Sequence, residues 1–142
     1  MSVSTKNTTI GDSITCGIPL LSPTDSTTYY FGAANALAAN TVDGDFDIAF
    51  PRNGIVKTVT ISIYNSGTLG SAETSTMYFR LNSTTDSVLT TTITTNSDTQ
   101  HFVAQNLNIV VTQGDRAGIK WVTPAYVTNP TSLRGNILIY WE

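Results

Sequence analysis

The sequence predicts an all-β protein, an antiparallel β-sandwich of roughly eight to ten strands with negligible helix, and three observations lead to this prediction. Charged residues make up only 12% of the 142 residues, about half of the share usual in soluble domains. Thr, Ser and Asn supply the remaining polarity, and these residues disfavour helix interiors while Thr favours strands. Short apolar–polar alternations recur along the chain with turn residues between them, which is typical of a sandwich or barrel.

The predicted strands follow one another with polar turns between them. The clearest is residues 55–64, where Val59, Ile61 and Ile63 alternate with Thr and Ser in a period of two. Residues 33–39 are the only stretch with helix propensity, and they are too few to form a stable helix alone. The predicted strands are residues 14–21, 27–32, 46–50, 55–64, 76–82, 88–94, 100–104, 107–112, 116–123 and 133–142.

Length and hydropathy predict a single domain over residues 14–142, preceded by a flexible polar arm over residues 1–13. The hydrophobic share of 40% is that of a globular chain, and no shift in composition marks a second domain. The segment that begins the sequence has no apolar stretch typical of a secretory leader. Cys16 is the single cysteine and excludes an intrachain disulfide. We therefore expect folding in a cytoplasm.

The charge pattern argues against a nucleic-acid partner, and the length of the apolar runs argues against membrane insertion. The net charge is −3, and the seven Lys and Arg residues are scattered singly along the chain. A nucleic-acid-binding surface requires clustered cations, so we expect no nucleic-acid partner. The longest apolar runs are far shorter than the roughly 20 residues that span a bilayer, so we expect no membrane insertion.

The last predicted strand is apolar on both faces. Ile137, Ile139 and Trp141 point one way, and Leu138 and Tyr140 point the other. The outer face of a small antiparallel sandwich is normally in water, and apolar side chains on an edge-prone strand promote aggregation. The pattern therefore predicts that a neighbouring subunit covers Leu138 and Tyr140.

Four segments resemble one family of domains. They are residues 46–55 (FDIAFPRNGI), the Arg-x-Asn strand 77–82 (MYFRLN), the Gly-Asp turn and strand in 113–121, and the closing strand 135–140. Together they resemble the jelly-roll domains of the C1q/tumour-necrosis-factor type found in phage fibre and head-decoration proteins and in bacterial exosporium glycoproteins. The resemblance implies a ten-stranded jelly roll and a tight homotrimer with the closing strand near its three-fold axis. The chain differs from those proteins in having no Gly-X-Y collagen-like segment and no fibre shaft.

Groups able to carry catalysis are scarce, so we predict no enzyme and assign no catalytic residue. His101 alternates with Phe102 and is expected on a strand surface. Cys16 has no charged neighbour in sequence that would lower its pKa, which predicts a buried, unreactive thiol.

One acidic cluster could hold a cation. Asp43, Asp45 and Asp47 recur at a period of two, which places three carboxylates on one side of an extended segment, where a hard cation such as calcium would relieve their repulsion. The alternative is a solvated acidic loop. No other cofactor is expected.

A long loop near the end of the chain carries candidate ligand contacts. Tyr126 is the aromatic residue expected to be exposed, and Thr128 and Asn129 beside it could bind the hydroxyls of a sugar or receptor. The alternative is that this loop packs on a neighbouring subunit.

These observations and the resemblance predict a non-enzymatic virion structural protein. It would be a trimeric phage head-decoration protein or tail-fibre knob, assembled in the host cytoplasm with other virion proteins and contacting the host surface. The alternative functions are a carbohydrate-binding, lectin-like module and a spore-surface (exosporium) protein.

Overall fold

The computed structural model describes residues 11–32, 43 and 47–142, and these residues form ten β-strands and no helix. In this part of the chain no helix is therefore long and apolar enough to cross a membrane. The strands are β1 (Asp12–Leu21), β2 (Thr28–Phe31), β3 (Ile48–Ala49), β4 (Gly54–Asn65), β5 (Ser75–Leu81), β6 (Thr85–Ile93), β7 (Thr99–Ala104), β8 (Ile109–Val111), β9 (Arg116–Val122) and β10 (Leu133–Trp141).

The strands form two antiparallel sheets that pack face to face. Sheet I has the order β1-β10-β4-β7, and β8 pairs with the first residues of β4. Sheet II has the order β2-β9-β5-β6, and β3 pairs with the start of β9. The predicted all-β antiparallel sandwich is confirmed.

The core lies between the sheets and follows the alternation read in the sequence. Val59, Ile61 and Ile63 of β4 are at most 3% exposed, and Met77 and Phe79 of β5 are fully buried. Each of these sets occupies alternate positions, because successive side chains of a strand point to opposite faces.

One of the two buried tryptophans has its polar atom satisfied. Trp121 of β9 packs against Tyr29 and Phe31 of β2, with ring centroids 6.0 and 6.2 Å away. Its indole N–H donates to Ser75 Oγ at 2.6 Å, and Ser75 is itself buried. A buried donor without such a partner would destabilise the core.

The closing strand lies in the middle of sheet I, between β1 and β4. Ile137, Ile139 and Trp141 are at most 2% exposed, as the sequence predicts for the face that fills the sandwich. The expectation that this strand is edge-prone is wrong, because strands hydrogen-bond to it on both sides. The apolar residues of its second face therefore lie on the outer surface of a sheet and not along a sheet edge.

The first strand begins slightly before the predicted domain boundary. Asp12 and Ser13, assigned to the arm, pair with Trp141 and Tyr140 as the first residues of β1. The rest of the predicted arm through residue 10, and the predicted helix-favouring stretch 33–39, lie outside the described residues.

Candidate functional site

The loop after β9 is held against the chain itself and does not present its aromatic ring. Tyr126 is only 7% exposed, so the expectation that it is the exposed aromatic is wrong. Its backbone N–H donates to Asp25 Oδ1 at 3.1 Å, which ties the loop to the segment before β2. Burial raises the pKa of the Tyr126 hydroxyl well above its usual range.

The neighbouring candidates are exposed but are used to fix this loop. Asn129 donates its amide to Asp25 Oδ1 at 2.8 Å and to the Pro23 carbonyl at 3.3 Å. The Thr128 carbonyl accepts from the Ser71 backbone N–H at 3.0 Å. A long loop must find partners for its backbone and amide groups, and here the partners are in other loops of the same chain. The Tyr126 ring is therefore not presented to a ligand, and ligand contact by the exposed Thr128 and Asn129 stays a prediction.

Two members of the acidic cluster, Asp43 and Asp47, are contacted by side chains from elsewhere in the chain. Asp43 Oδ2 accepts from Arg80 Nε at 2.8 Å, and Asp47 Oδ2 accepts from Ser83 Oγ at 3.2 Å. Burial raises the pKa of Asp47. The third member, Asp45, lies outside the described residues, among which no three His, Cys, Asp or Glu residues come together. A calcium ion bound by Asp43, Asp45 and Asp47 therefore stays a prediction.

Cys16 and His101 occupy the surroundings expected of them. Cys16 is fully buried in β1, and burial, with a smaller contribution from the negative charge of Asp47, raises the pKa of its thiol to about 12. Thiolate formation at neutral pH is therefore strongly disfavoured. His101 is exposed on β7, and its Nδ1 lies 3.0 Å from Ser62 Oγ.

Among the described residues, a concave surface lies elsewhere, on the outer face of sheet I. It is a groove of about 590 Å³, named here the sheet groove. Strand register places its residues in two neighbouring cross-strand rows. One row contains Thr99, Tyr64 and Arg134, and the next contains His101, Ser62, Asn136 and Gly17.

The shape of β1 forms one side of the sheet groove. The pairing of β1 with β10 shifts register between Ile18 and Leu21, and Pro19 lies within that irregularity. A proline and a bulge are tolerated here because β1 is at the edge of the sheet. Leu20 is left 66% exposed beside the groove, and Gly17 places no side chain in it.

The sheet groove combines a flat apolar face with hydrogen-bonding groups. The Tyr64 side chain is 41% exposed, and the Arg134 guanidinium carbon lies 4.9 Å from the centre of its ring. His101, Ser62 and Asn136 line the groove beside this pair. An apolar surface with a few convergent polar groups is the usual composition of a small-ligand site.

Sequence patterns alone do not reveal this site, because its residues come from four strands far apart in the chain. Each residue occupies an ordinary outward position, and only the register of β1, β10, β4 and β7 makes them neighbours. The sequence offers one indication of this site, which is the presence of two large side chains, Tyr64 and Arg134. Tyr64 follows the small outward residues Thr60 and Ser62 of β4, and Arg134 is the one charged residue of β10.

The same face carries an apolar region farther along the strands, named here the apolar end. Tyr140 is 41% exposed, Val103 59% and Val110 67%, and Leu138 beside them is half-buried. Register places Leu138 and Val103 on either side of Thr60, and Tyr140 beside Thr58. The structure thus confirms that Leu138 and Tyr140 share an outward face.

Comparison with known proteins finds similarity to solved structures and to no sequence family. No protein-family model and no curated protein sequence matches the chain. Among solved structures, the chain is similar to the native structure of a family 35 carbohydrate binding module from Clostridium thermocellum, at 11% sequence identity and a TM-score of 0.34. The alignment covers 92% of this chain and 90% of that one. A similarity of this degree carries no information about what this chain binds.

Proposed function

We propose that this protein is a non-enzymatic carbohydrate-binding module and that the sheet groove is its binding site. The observation that carries the proposal is the pairing of a partly exposed aromatic ring, Tyr64, with convergent polar side chains in one open groove. This is the lectin-like alternative predicted from the sequence, with a different set of residues. The predicted loop site at Tyr126 is not part of it.

The chemistry of a sugar ring matches this arrangement. A pyranose has a face of C–H groups that packs on an aromatic ring, and hydroxyls around its rim that need hydrogen-bond partners. Tyr64 supplies the ring, and Ser62, His101 and Asn136 supply hydroxyl, imidazole and amide groups on the adjacent row. The groove is open, so an oligosaccharide could lie across the strands without the chain having to open.

The test is a glycan array followed by calorimetric titration of the best ligand. We expect Tyr64→Ala to weaken binding by about tenfold or more, as for truncation of a central aromatic contact. Tyr78→Ala is the matched control, because Tyr78 is a partly exposed tyrosine with a cation, Lys120 Nζ, 5.1 Å from the centre of its ring, but lies outside the sheet groove. Binding that is unchanged in Tyr64→Ala, or lost equally in both variants, would contradict the proposal.

A second candidate function is supported by the apolar end. Homotrimer formation through Leu138 and Tyr140 would cover exposed apolar side chains that otherwise lie in water. In this form the protein would be the virion decoration or tail-fibre knob predicted from the sequence, with other virion proteins as partners. The two functions are compatible, because the apolar end and the sheet groove occupy different parts of one face.

A further inference from the structure

We infer that the glycan bound in the sheet groove is anionic, and that Arg134 binds a sugar carboxylate such as that of a uronic or sialic acid. This inference rests on the proposed function and specifies its ligand class.

Most basic side chains of the described part of the chain already have a carboxylate partner. Arg52 pairs with Asp12 at 2.9 Å and Lys57 with Glu142 at 3.3 Å. Arg80 pairs with Asp43 and Lys120 with Asp86 in the same way, at 2.8 and 2.7 Å. In a chain of net charge −3, such pairing leaves little positive charge for a ligand.

Arg116 and Arg134 have no carboxylate partner among the described residues, and of these two only Arg134 lies in the sheet groove. Among the described residues no carboxylate lies within ion-pair distance of it, and no protein acceptor takes a hydrogen bond from its guanidinium. Its only close partner there is the Tyr64 ring at 4.9 Å. A guanidinium has five N–H donors in a fixed fork that matches a carboxylate. This residue is therefore a cation held in place by an aromatic ring, with its donors available.

The other described residues around the sheet groove carry no negatively charged side chain. Neither Asp nor Glu occurs among the described residues that line it. Thr99, Ser62 and Asn136 can all donate hydrogen bonds. The charge of the site is thus opposite to the net charge of the chain, which favours an anionic ligand over a neutral one.

The test compares sugars that differ only in charge. The full chain would be titrated with oligogalacturonate and with sialyllactose, each alongside its methyl ester, and with a sulfated oligosaccharide as a third probe. We expect the free acids to bind at least about tenfold more tightly than their esters, the size of a charge-assisted hydrogen bond. Arg134→Gln should remove that difference, because binding of the free acids would lose the charge-assisted hydrogen bond. Arg116→Gln, an exposed arginine outside the groove, is the matched control.

The outcomes separate this inference from the proposed function. If esters and free acids bind equally and Tyr64→Ala abolishes both, the groove binds glycans but the anionic class is wrong. If the sulfated probe alone shows the Arg134 dependence, the group recognised is a sulfate ester and the carboxylate assignment is overturned. If no glycan binds at all, the proposed function itself fails, and this inference with it.

Discussion

At the scale of single residues, the close pairing of β10 with β4 requires glycine at position 135. Gly135 of β10 faces the interior between Leu133 and Ile137, and it pairs with Ile18 of β1 and Ile63 of β4. A Cβ at this position would lie 2.1 Å from the Ser62 carbonyl oxygen, a backbone atom in the adjacent central strand. Glycine is therefore required here by close approach of two backbones.

We predict that Gly135→Ala destabilises the fold by about 3 kcal/mol, at the upper end of the range for overpacking, because the atom it meets is backbone and cannot rotate away. The melting temperature should fall by about 6–12 °C for a domain of this size. Gly11→Ala is the control, since a Cβ there would lie at an ordinary 3.6 Å from the nearest atom, the Trp141 carbonyl oxygen. Equal melting temperatures for both variants would show that β10 and β4 can separate without cost.

At the scale of elements, an ion cluster links three strands on the outer face of sheet II. Asp86 of β6 accepts from Lys120 Nζ of β9 at 2.7 Å and from the guanidinium of Arg80 in β5. Burial raises the pKa of Asp86, but the hydrogen bonds from Lys120 and Arg80 outweigh that effect and leave the pKa below its usual value. The folded state therefore holds the Asp86 carboxylate in its charged form more strongly than the unfolded chain does.

This shift fixes the sign of a pH dependence. A carboxylate whose pKa is lowered by folding stabilises the protein above its unfolded pKa of about 3.9, and the stabilisation is lost as the pH falls through the folded pKa. We predict that Asp86→Asn lowers the melting temperature at pH 7 by about 2–4 °C, corresponding to roughly 1 kcal/mol. The difference from the unmodified protein should shrink below pH of about 4.

Asp98→Asn is the matched control for this measurement, because Asp98 is exposed and makes no side-chain ion pair among the described residues. Thermal unfolding followed by circular dichroism over a pH series is the appropriate experiment. A melting temperature of Asp86→Asn that matches the unmodified protein at pH 7 would mean that the three-strand cluster contributes nothing to stability.

At the scale of the whole molecule, the outer face of sheet I carries two surfaces with different chemistry. The sheet groove carries the positive charge of Arg134 and several hydrogen-bonding side chains, whereas the apolar end exposes Val103, Val110 and Tyr140. Burial of a fully exposed apolar side chain stabilises a protein by roughly 1.5–3 kcal/mol. The side chains of the apolar end are already partly buried, so each would contribute less than this to the free energy of association. A stable trimer therefore requires that several of them be buried together and repeated by symmetry.

We predict a mass near three times 15.2 kDa in light scattering at micromolar concentration. Leu138→Asp and Tyr140→Asp should each give monomer or aggregate, because an unpaired carboxylate would be buried at every copy of the interface. Val88→Asp is the control, since Val88 is 53% exposed on the opposite sheet. A monodisperse monomer of the unmodified protein, or a trimer that tolerates both substitutions, would mean that neither residue is buried between subunits.

The strands could be predicted from the sequence because their signal is local. A period of two depends only on neighbouring residues, and it located elements such as β4 and β9 to within a residue or two. The same rule correctly divided β10 into Ile137, Ile139 and Trp141 inside and Leu138 and Tyr140 outside. The Gly-Asp turn before β9 was also readable, because Gly114 has a φ of +88° that favours glycine.

The sequence by itself therefore determined the class of fold, the strand positions and the choice of inward residues. The tertiary structure alone decided which outward residues meet. Tyr64 and Arg134 are 70 positions apart and become neighbours only through the register of β10 on β4. Tyr126 has an ordinary loop sequence, and its burial follows from contacts with residues about a hundred positions earlier. Strand periodicity is set by each backbone locally, whereas register and loop packing are set by the summed contacts of distant segments, which no local pattern records.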